Sequence, residues 1–215
     1  MRADAAAAER HLAAGMAIAR AIKQPFALAE MLWSHCVVAH ECGDAPLLER
    51  WALEILRTCE EGGIDYWRRP GRAFAGWAAA ARGDADGLER MDAVLQEWRD
   101  IAMFESMHYM LGLYAEICMK HGRPAPAGEA LAEALALVRK TCECWFEAEL
   151  HRLRGELALR SDSSGRSANP AASTCFRQAA RVARRQGARL LELRALVNLA
   201  DERAARGEHD RKRDR

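Results

Sequence analysis

Trp145 to Leu199 decides the fold: WFEAELHRLRGELAL over 145–159, a polar loop, then FRQAARVARRQGARLLELRALVNL over 176–199. In Glu147–Leu159, Leu150, Leu153, Leu157 and Ala158 recur at helical spacing with Glu and Arg between them. Ala172, Phe176, Ala179 and Ala183 step by 4, 3 and 4, which places them on one helix face. Gly187 then stops that helix, because glycine enters the left-handed C′ conformation without a Cβ penalty. Leu190–Leu199 is apolar around most of its circumference, so more than one neighbour must cover it.

The rest of the chain repeats this pattern. Alanine is abundant, glycine and proline sit mostly at turns, and β-branched runs are nearly absent. Ten helices follow: Asp4–Ile22, Phe26–Cys42, Ala45–Glu61, Tyr66–Arg82, one capped by Asp84 and reaching Ile101, Phe104–His121, Ala127–Thr141, Trp145–Arg160, Ala171–Gln186 and Ala188–Arg206. The turn Lys23-Gln24-Pro25 ends the first, and Ser161–Pro170 reads as a polar loop. Residues 207–215, GEHDRKRDR, read as a polar, disordered tail behind one helical-repeat domain over 1–206.

The turn glycines are periodic. Gly43, Gly83, Gly122, Gly165 and Gly207 are separated by 40, 39, 43 and 42 residues. A period near 40 with two helices per unit marks an α-solenoid. Small residues recur in the first helix of each unit at Ala75-Gly76, Leu111-Gly112, Arg154-Gly155 and Leu199-Ala200. The second helices carry Gly87/Met91/Val94, Ala127/Leu131/Ala134 and Ala172/Phe176/Ala179. The expected architecture is all-α: an α-solenoid of about five tetratricopeptide-like hairpins forming a right-handed superhelix.

Four strings carry a more specific likeness: FAGWAAAARGDADGL, RPAPAGEALAEALALVRKT, WFEAELHRLRGELAL and FRQAARVARRQGARLLELRA. The chain resembles the C-terminal tetratricopeptide region of bacterial signalling ATPases, including those associated with class III adenylate/guanylate cyclases. It departs from that pattern in its longer Ser161–Pro170 loop, in the absence of a proline over Ser106–Met110, and in its basic tail. The chain has no G-x4-G-K-[ST] phosphate loop and no cyclase motif. The resemblance therefore implies a non-catalytic module, with no cofactor, that binds a protein or peptide or regulates the remainder of a larger signalling protein, a cyclase or a transcription regulator. A small-molecule sensor with its pocket inside the superhelix is the alternative.

Extrapolating the repeat register to the concave face selects Glu30, Trp33, His40, Trp77, Tyr109, Glu116, Arg152 and Glu156 as groove residues. Trp33 and Trp77 are read either as groove anchors or as core, whereas Trp51, Trp98 and Trp145 are read as core. His35, Cys36, His40 and Cys42 lie close together, and Cys142 and Cys144 add two thiols. Their spacing matches no zinc pattern, so they are read as packed thiols and ordinary histidines, with no metal. Glu60, Glu61 and Asp65 are read as solvated turn residues rather than an acid/base pair. Arg177, Arg181, Arg184, Arg185 and Arg189 form a basic stripe without interleaved aromatics, which disfavours nucleic acid.

The net charge is +1, but Trp145–Arg215 holds 16 Lys/Arg against 10 Asp/Glu. There is no apolar run long enough to span a membrane and no signal-peptide core, and the seven cysteines are unpaired in spacing. A cytoplasmic protein of bacterial style is expected. The apolar last helix adds a further expectation, a homodimer through the C-terminal helix.

Overall fold

The computed structural model describes residues 5–102, 104–161 and 169–213, with side chains described from 10 to 205 within those ranges. Residues 162–168 of the expected loop, including Gly165, lie outside them, as do Asp4 at the first helix's start and residues 214–215. The fold is all-α, with no strand among the described residues. The helices are α1 (Ala5–Ile22), α2 (Pro25–Glu41), α3 (Ala45–Gly62), α4 (Arg68–Ala81), α5 (Asp86–Asp100), α6 (Met107–Lys120), α7 (Pro124–Thr141), α8 (Glu147–Arg160), α9 (Pro170–Gln186) and α10 (Arg189–Arg213).

Each expected helix is present, and the differences lie at the ends. Pro25 opens α2 instead of terminating α1, and Pro124 opens α7 three residues before Ala127. A proline suits the first turn, where its missing N–H would have no intrahelical partner. Pro70 falls in the first turn of α4 for the same reason, so that helix begins at Arg68 rather than Tyr66. The Asp44 side chain accepts from the Leu47 N–H at 2.9 Å and caps α3. Gly63, at φ 64°, closes α3, and Gly187, at φ 68°, closes α9. At the other end, α10 runs on to Arg213, beyond the Arg206 expected from the polar composition.

The chain forms two compact units, residues 1–103 and 104–215. In the first, each helix from α1 to α5 packs on the next, and α2 also touches α4. In the second, α6 to α10 follow the same rule, with α6 on α8 and α8 on α10 as well. Contact between alternate helices puts α2 and α4 in one layer of the first unit, and α6, α8 and α10 in one layer of the second.

Small residues permit these approaches. A Cβ on Gly76 would sit 3.0 Å from the Gly87 carbonyl oxygen, so α4 and α5 meet backbone to backbone. A Cβ on Gly155 would sit 2.3 Å from the Phe176 ring, which is fully buried with Ala172 and Leu199 between α8, α9 and α10. Burying a phenylalanine side chain of this kind contributes about 2–3 kcal/mol. The register inferred for the α4/α5 and α8/α9 hairpins thus has a physical basis: glycine on one helix receives backbone or an aromatic ring from the other.

Candidate functional site

Phe26, Glu30, Trp33 and His40 occupy one face of α2, because steps of four, three and seven residues return to the same side of a helix. This face meets the start of α4 and the turn before it. The Phe26 ring lies 5.6 Å from Tyr66 and 5.7 Å from Trp67, and Trp33 lies 6.2 Å from Trp67. Tyr66 and Trp67 stack edge to face at 4.9 Å. Farther along, the His40 ring stands edge-on to Trp77 at 5.0 Å. Phe26 is 48 % exposed and Glu30 is exposed beside it, while Trp33 is half-buried. The Glu30 carboxylate has no ion pair among the described residues. The first unit therefore presents an aromatic strip with an acidic group at its centre, suited to apolar and basic side chains.

Trp77 is only 2 % exposed, so of the two readings open for this ring, core packing holds. Tyr109 is fully buried, packed edge-on to Phe146 at 4.8 Å, and does not line a surface. Trp145 is a correction in the opposite direction: expected in the core, it is 40 % exposed. It precedes α8 in a turn rather than lying on the helix, and it leans on Tyr109 at 4.9 Å and His108 at 5.5 Å. Trp98 is core, and Trp51 is half-buried against the His35 ring at 4.9 Å.

In the second unit, Arg152 and Glu156 do come together, with Glu149 and Asn198. The Arg152 guanidinium donates to Glu149 at 2.7–2.8 Å, to Glu156, and to Asn198 Oδ1 on α10 at 3.2 Å. Burial alone would lower the Arg152 pKa, but the Glu149 and Glu156 carboxylates outweigh it and hold the guanidinium charged. Arg152 and Glu149 are largely buried, so this cluster ties α8 to α10 instead of offering free charge. The buried Glu202 accepts from the Ser173 hydroxyl and ties α10 to α9 in the same way. Glu116 is half-buried and 3.5 Å from Lys120 on its own helix.

The thiols and histidines of α2 do not converge. The Cys36 thiol is buried against the Leu48 carbonyl oxygen at 3.9 Å, and burial pushes its pKa far up. The His35 Nδ1 bonds the Met31 carbonyl at 2.8 Å, and Cys42 is exposed. Among the described residues no group of three or more His, Cys, Asp or Glu is placed to hold a metal ion. Asp65 pairs with Arg69 at 3.0 Å and Arg68 at 3.5 Å.

Sequence reasoning passed over Phe26, Tyr66, Trp67, Glu149 and Asn198. A signal for Phe26 existed: it precedes Trp33 by seven residues, as Trp33 precedes His40.

No protein-family model matches the chain. Over 123 residues, 57 % of this chain, it is 32 % identical to an uncharacterized protein of Rhizobium meliloti strain 1021. The chain spans about an eighth of that relative, 12 % of its length. Among the described residues no helix is long and apolar enough to cross a membrane.

Proposed function

We propose that the chain is a non-catalytic, tetratricopeptide-like module that binds a protein or peptide partner and regulates a signalling ATPase, cyclase or transcription regulator in the cytoplasm of a bacterium. In this reading about five hairpins wind as a right-handed superhelix, and the layer of first helices is the binding face. The observation that carries the reading is the aromatic strip on α2, where Phe26, Glu30 and Trp33 offer apolar area and a carboxylate on one rigid face. The likeness to a short part of a far longer protein is compatible with a module inside a larger assembly.

A second copy is the proposed occupant of the exposed row Leu190, Leu193, Leu196 and Val197 on α10. Two α10 helices crossing antiparallel, level at residue 195, would set Leu193 against Val197 and Arg189 against Asp201, matching both apolar and charged groups.

The test is a pull-down with the full chain as bait, run beside Phe26→Ser with Trp33→Ser and with both proteins verified as equally folded. A partner kept by the wild type and lost by the variant supports the reading. Capture that ignores the variant refutes the α2 strip as the binding face, and nucleotide turnover by the chain alone, or no partner captured at all, refutes the module.

A further inference from the structure

A trough of about 470 Å³ runs between α7 and α8 in the second unit. Its floor is apolar: Leu131 and Leu135 come from α7 and Leu157 from α8, with Gly128 leaving room beside Leu157. Arg139 and Arg154 stand at its wall, one from each helix. Neither has a hydrogen bond or ion pair among the described residues. In the same unit Arg152, by contrast, is held by two glutamates and Arg184 by Glu192 at 2.7 Å.

Among the described residues, Arg181 of α9 is partnered by the neutral Gln178 side chain. All three arginines act on one half-buried group, His151 of α8. Burial lowers the His151 pKa, and the positive field of Arg154, Arg181 and Arg139 lowers it further, to about 4. The nearest carboxylate to that ring, Glu147, stands at 3.8 Å, beyond hydrogen-bond reach. Arg139 and Arg154 thus flank an apolar depression with no carboxylate paired to either among the described residues.

We propose that this trough docks an acidic, leucine-bearing helical segment of a partner protein, its apolar side chains entering between α7 and α8 and its carboxylates meeting Arg139 and Arg154. The chemistry favours this occupant over the others. Guanidinium forks match carboxylates in a bidentate manner, and the leucine floor rewards an amphipathic helix laid in a groove. Nucleic acid would meet the arginines but gain nothing from an aliphatic floor that has no aromatic ring to stack on. A small anionic amphiphile would remain largely uncovered, because the trough is open along its length, while small-ligand sites bury most of the ligand. The proposal rests on the reading of the chain as a partner-binding module but uses a different surface from the α2 strip.

The probe is a fluorescent synthetic helical peptide with leucine at every third or fourth position and glutamate between, titrated against the full chain by anisotropy. Two control peptides replace its glutamates with lysine or its leucines with serine. We expect binding of the Glu/Leu peptide that weakens with salt, and at least about tenfold loss with either control. Arg139→Ser with Arg154→Ser, and separately Gly128→Met to fill the trough, each weaken binding at least about tenfold with an unchanged circular-dichroism spectrum and melting point. The His151 ring resonances titrate at higher pH in the complex, because the peptide carboxylates offset the arginine field.

Equal binding of the lysine peptide, or indifference to the arginine pair, overturns the proposal. Displacement of the peptide by duplex DNA at equal charge concentration assigns the arginines to phosphate and also overturns it, as does saturable binding of dodecanoate with none of the peptide. Peptide binding that survives while the pull-down ignores Phe26 and Trp33 refutes the α2 strip alone.

Discussion

Gly155→Ala should destabilise the second unit even though alanine is the better helix former. In a helix interior that exchange gains about 1 kcal/mol from propensity. Against it stands the packing of α8 on α9. The new Cβ would fall 2.3 Å from Phe176 Cε1, 2.6 Å from Cδ1 and 2.8 Å from Cζ. Carbon atoms rest at about 3.5–4.0 Å, so the ring would have to retreat by about 1 Å or more. It has nowhere to go: Phe176 is fully buried, with Ala172, Leu199, Ala158 and Leu159 around it. Overpacking of this kind costs about 1–3 kcal/mol, and three clashing ring atoms put Gly155 at the upper end. The net expectation is a loss of about 2 kcal/mol, or a melting point lower by about 6–10 °C for a unit of this size. Gly128→Ala is the matched control, since its nearest neighbour would be Leu157 Cδ2 at 3.5 Å, an ordinary contact. That variant should gain up to about 1 kcal/mol. Adding Phe176→Leu to Gly155→Ala should relieve the clash and give a favourable coupling of about 1 kcal/mol or more in a double-mutant cycle. Urea denaturation followed by circular dichroism measures all five proteins: wild type, Gly155→Ala, Gly128→Ala, Phe176→Leu and the double variant. Equal stability of the Gly155 and Gly128 variants, or strict additivity with Phe176→Leu, would refute the close approach of α8 and α9.

Three further outcomes are expected. Phe176→Ala should cost about 3–5 kcal/mol and Arg181→Ala, an exposed side chain, no more than about 0.5, so equal melting points would put the α9 register in error. His108 is fully buried with neither ring nitrogen hydrogen-bonded among the described residues and the Glu143 carboxylate 3.7 Å from Nδ1, and burial holds its pKa down to about 4. Its neutral form is favoured by the fold, so its contribution is complete above the unfolded value near 6.5 and is lost as pH falls from there toward 4, by at most about 1.4 kcal/mol per pH unit. His108→Leu should flatten that acid limb in denaturation series at several pH values, and an unchanged slope would contradict the assignment. Sedimentation over a concentration range should show wild-type self-association that Leu193→Glu with Val197→Glu abolishes, and a strictly monomeric wild type would remove the α10 contact.

What was legible in the sequence is what each helix decides for itself. Alternation of apolar and charged residues at steps of three and four, and a glycine or capping aspartate at ends such as those of α3 and α9, require no knowledge of the neighbours. The expected helices therefore match, apart from ends where a proline could close one helix or open the next. Pro25 shows the ambiguity: its fixed φ suits the first turn of α2 as well as the turn after α1. The pairing of Gly155 with Phe176 was legible for a related reason, because a glycine in a helix interior is costly unless something must come close.

The binding face was less legible, because exposure at a given register position depends on which side chains the other helices bring to it. The register put Trp77, Tyr109 and Trp33 on the groove face, yet the first two are buried and Trp33 is only half-buried. His40 covers one side of Trp77, and Phe146 covers Tyr109, whereas Trp33 meets Trp67 in a turn that leaves part of its ring uncovered. Charge was harder still to read. Arg152 and Arg154 are two residues apart on α8, so they point to different sides of it. One is enclosed by Glu149 and Glu156, spaced three before and four after it along the same helix, and spends its charge on holding α8 to α10. The other has Leu157 three residues on and no acid three or four residues to either side. The same residue type thus serves as an internal tie or as an open cation according to what lies one helical turn away. In the proposed docking, that distinction, rather than the number of arginines in this half of the chain, selects the side chains that meet the partner.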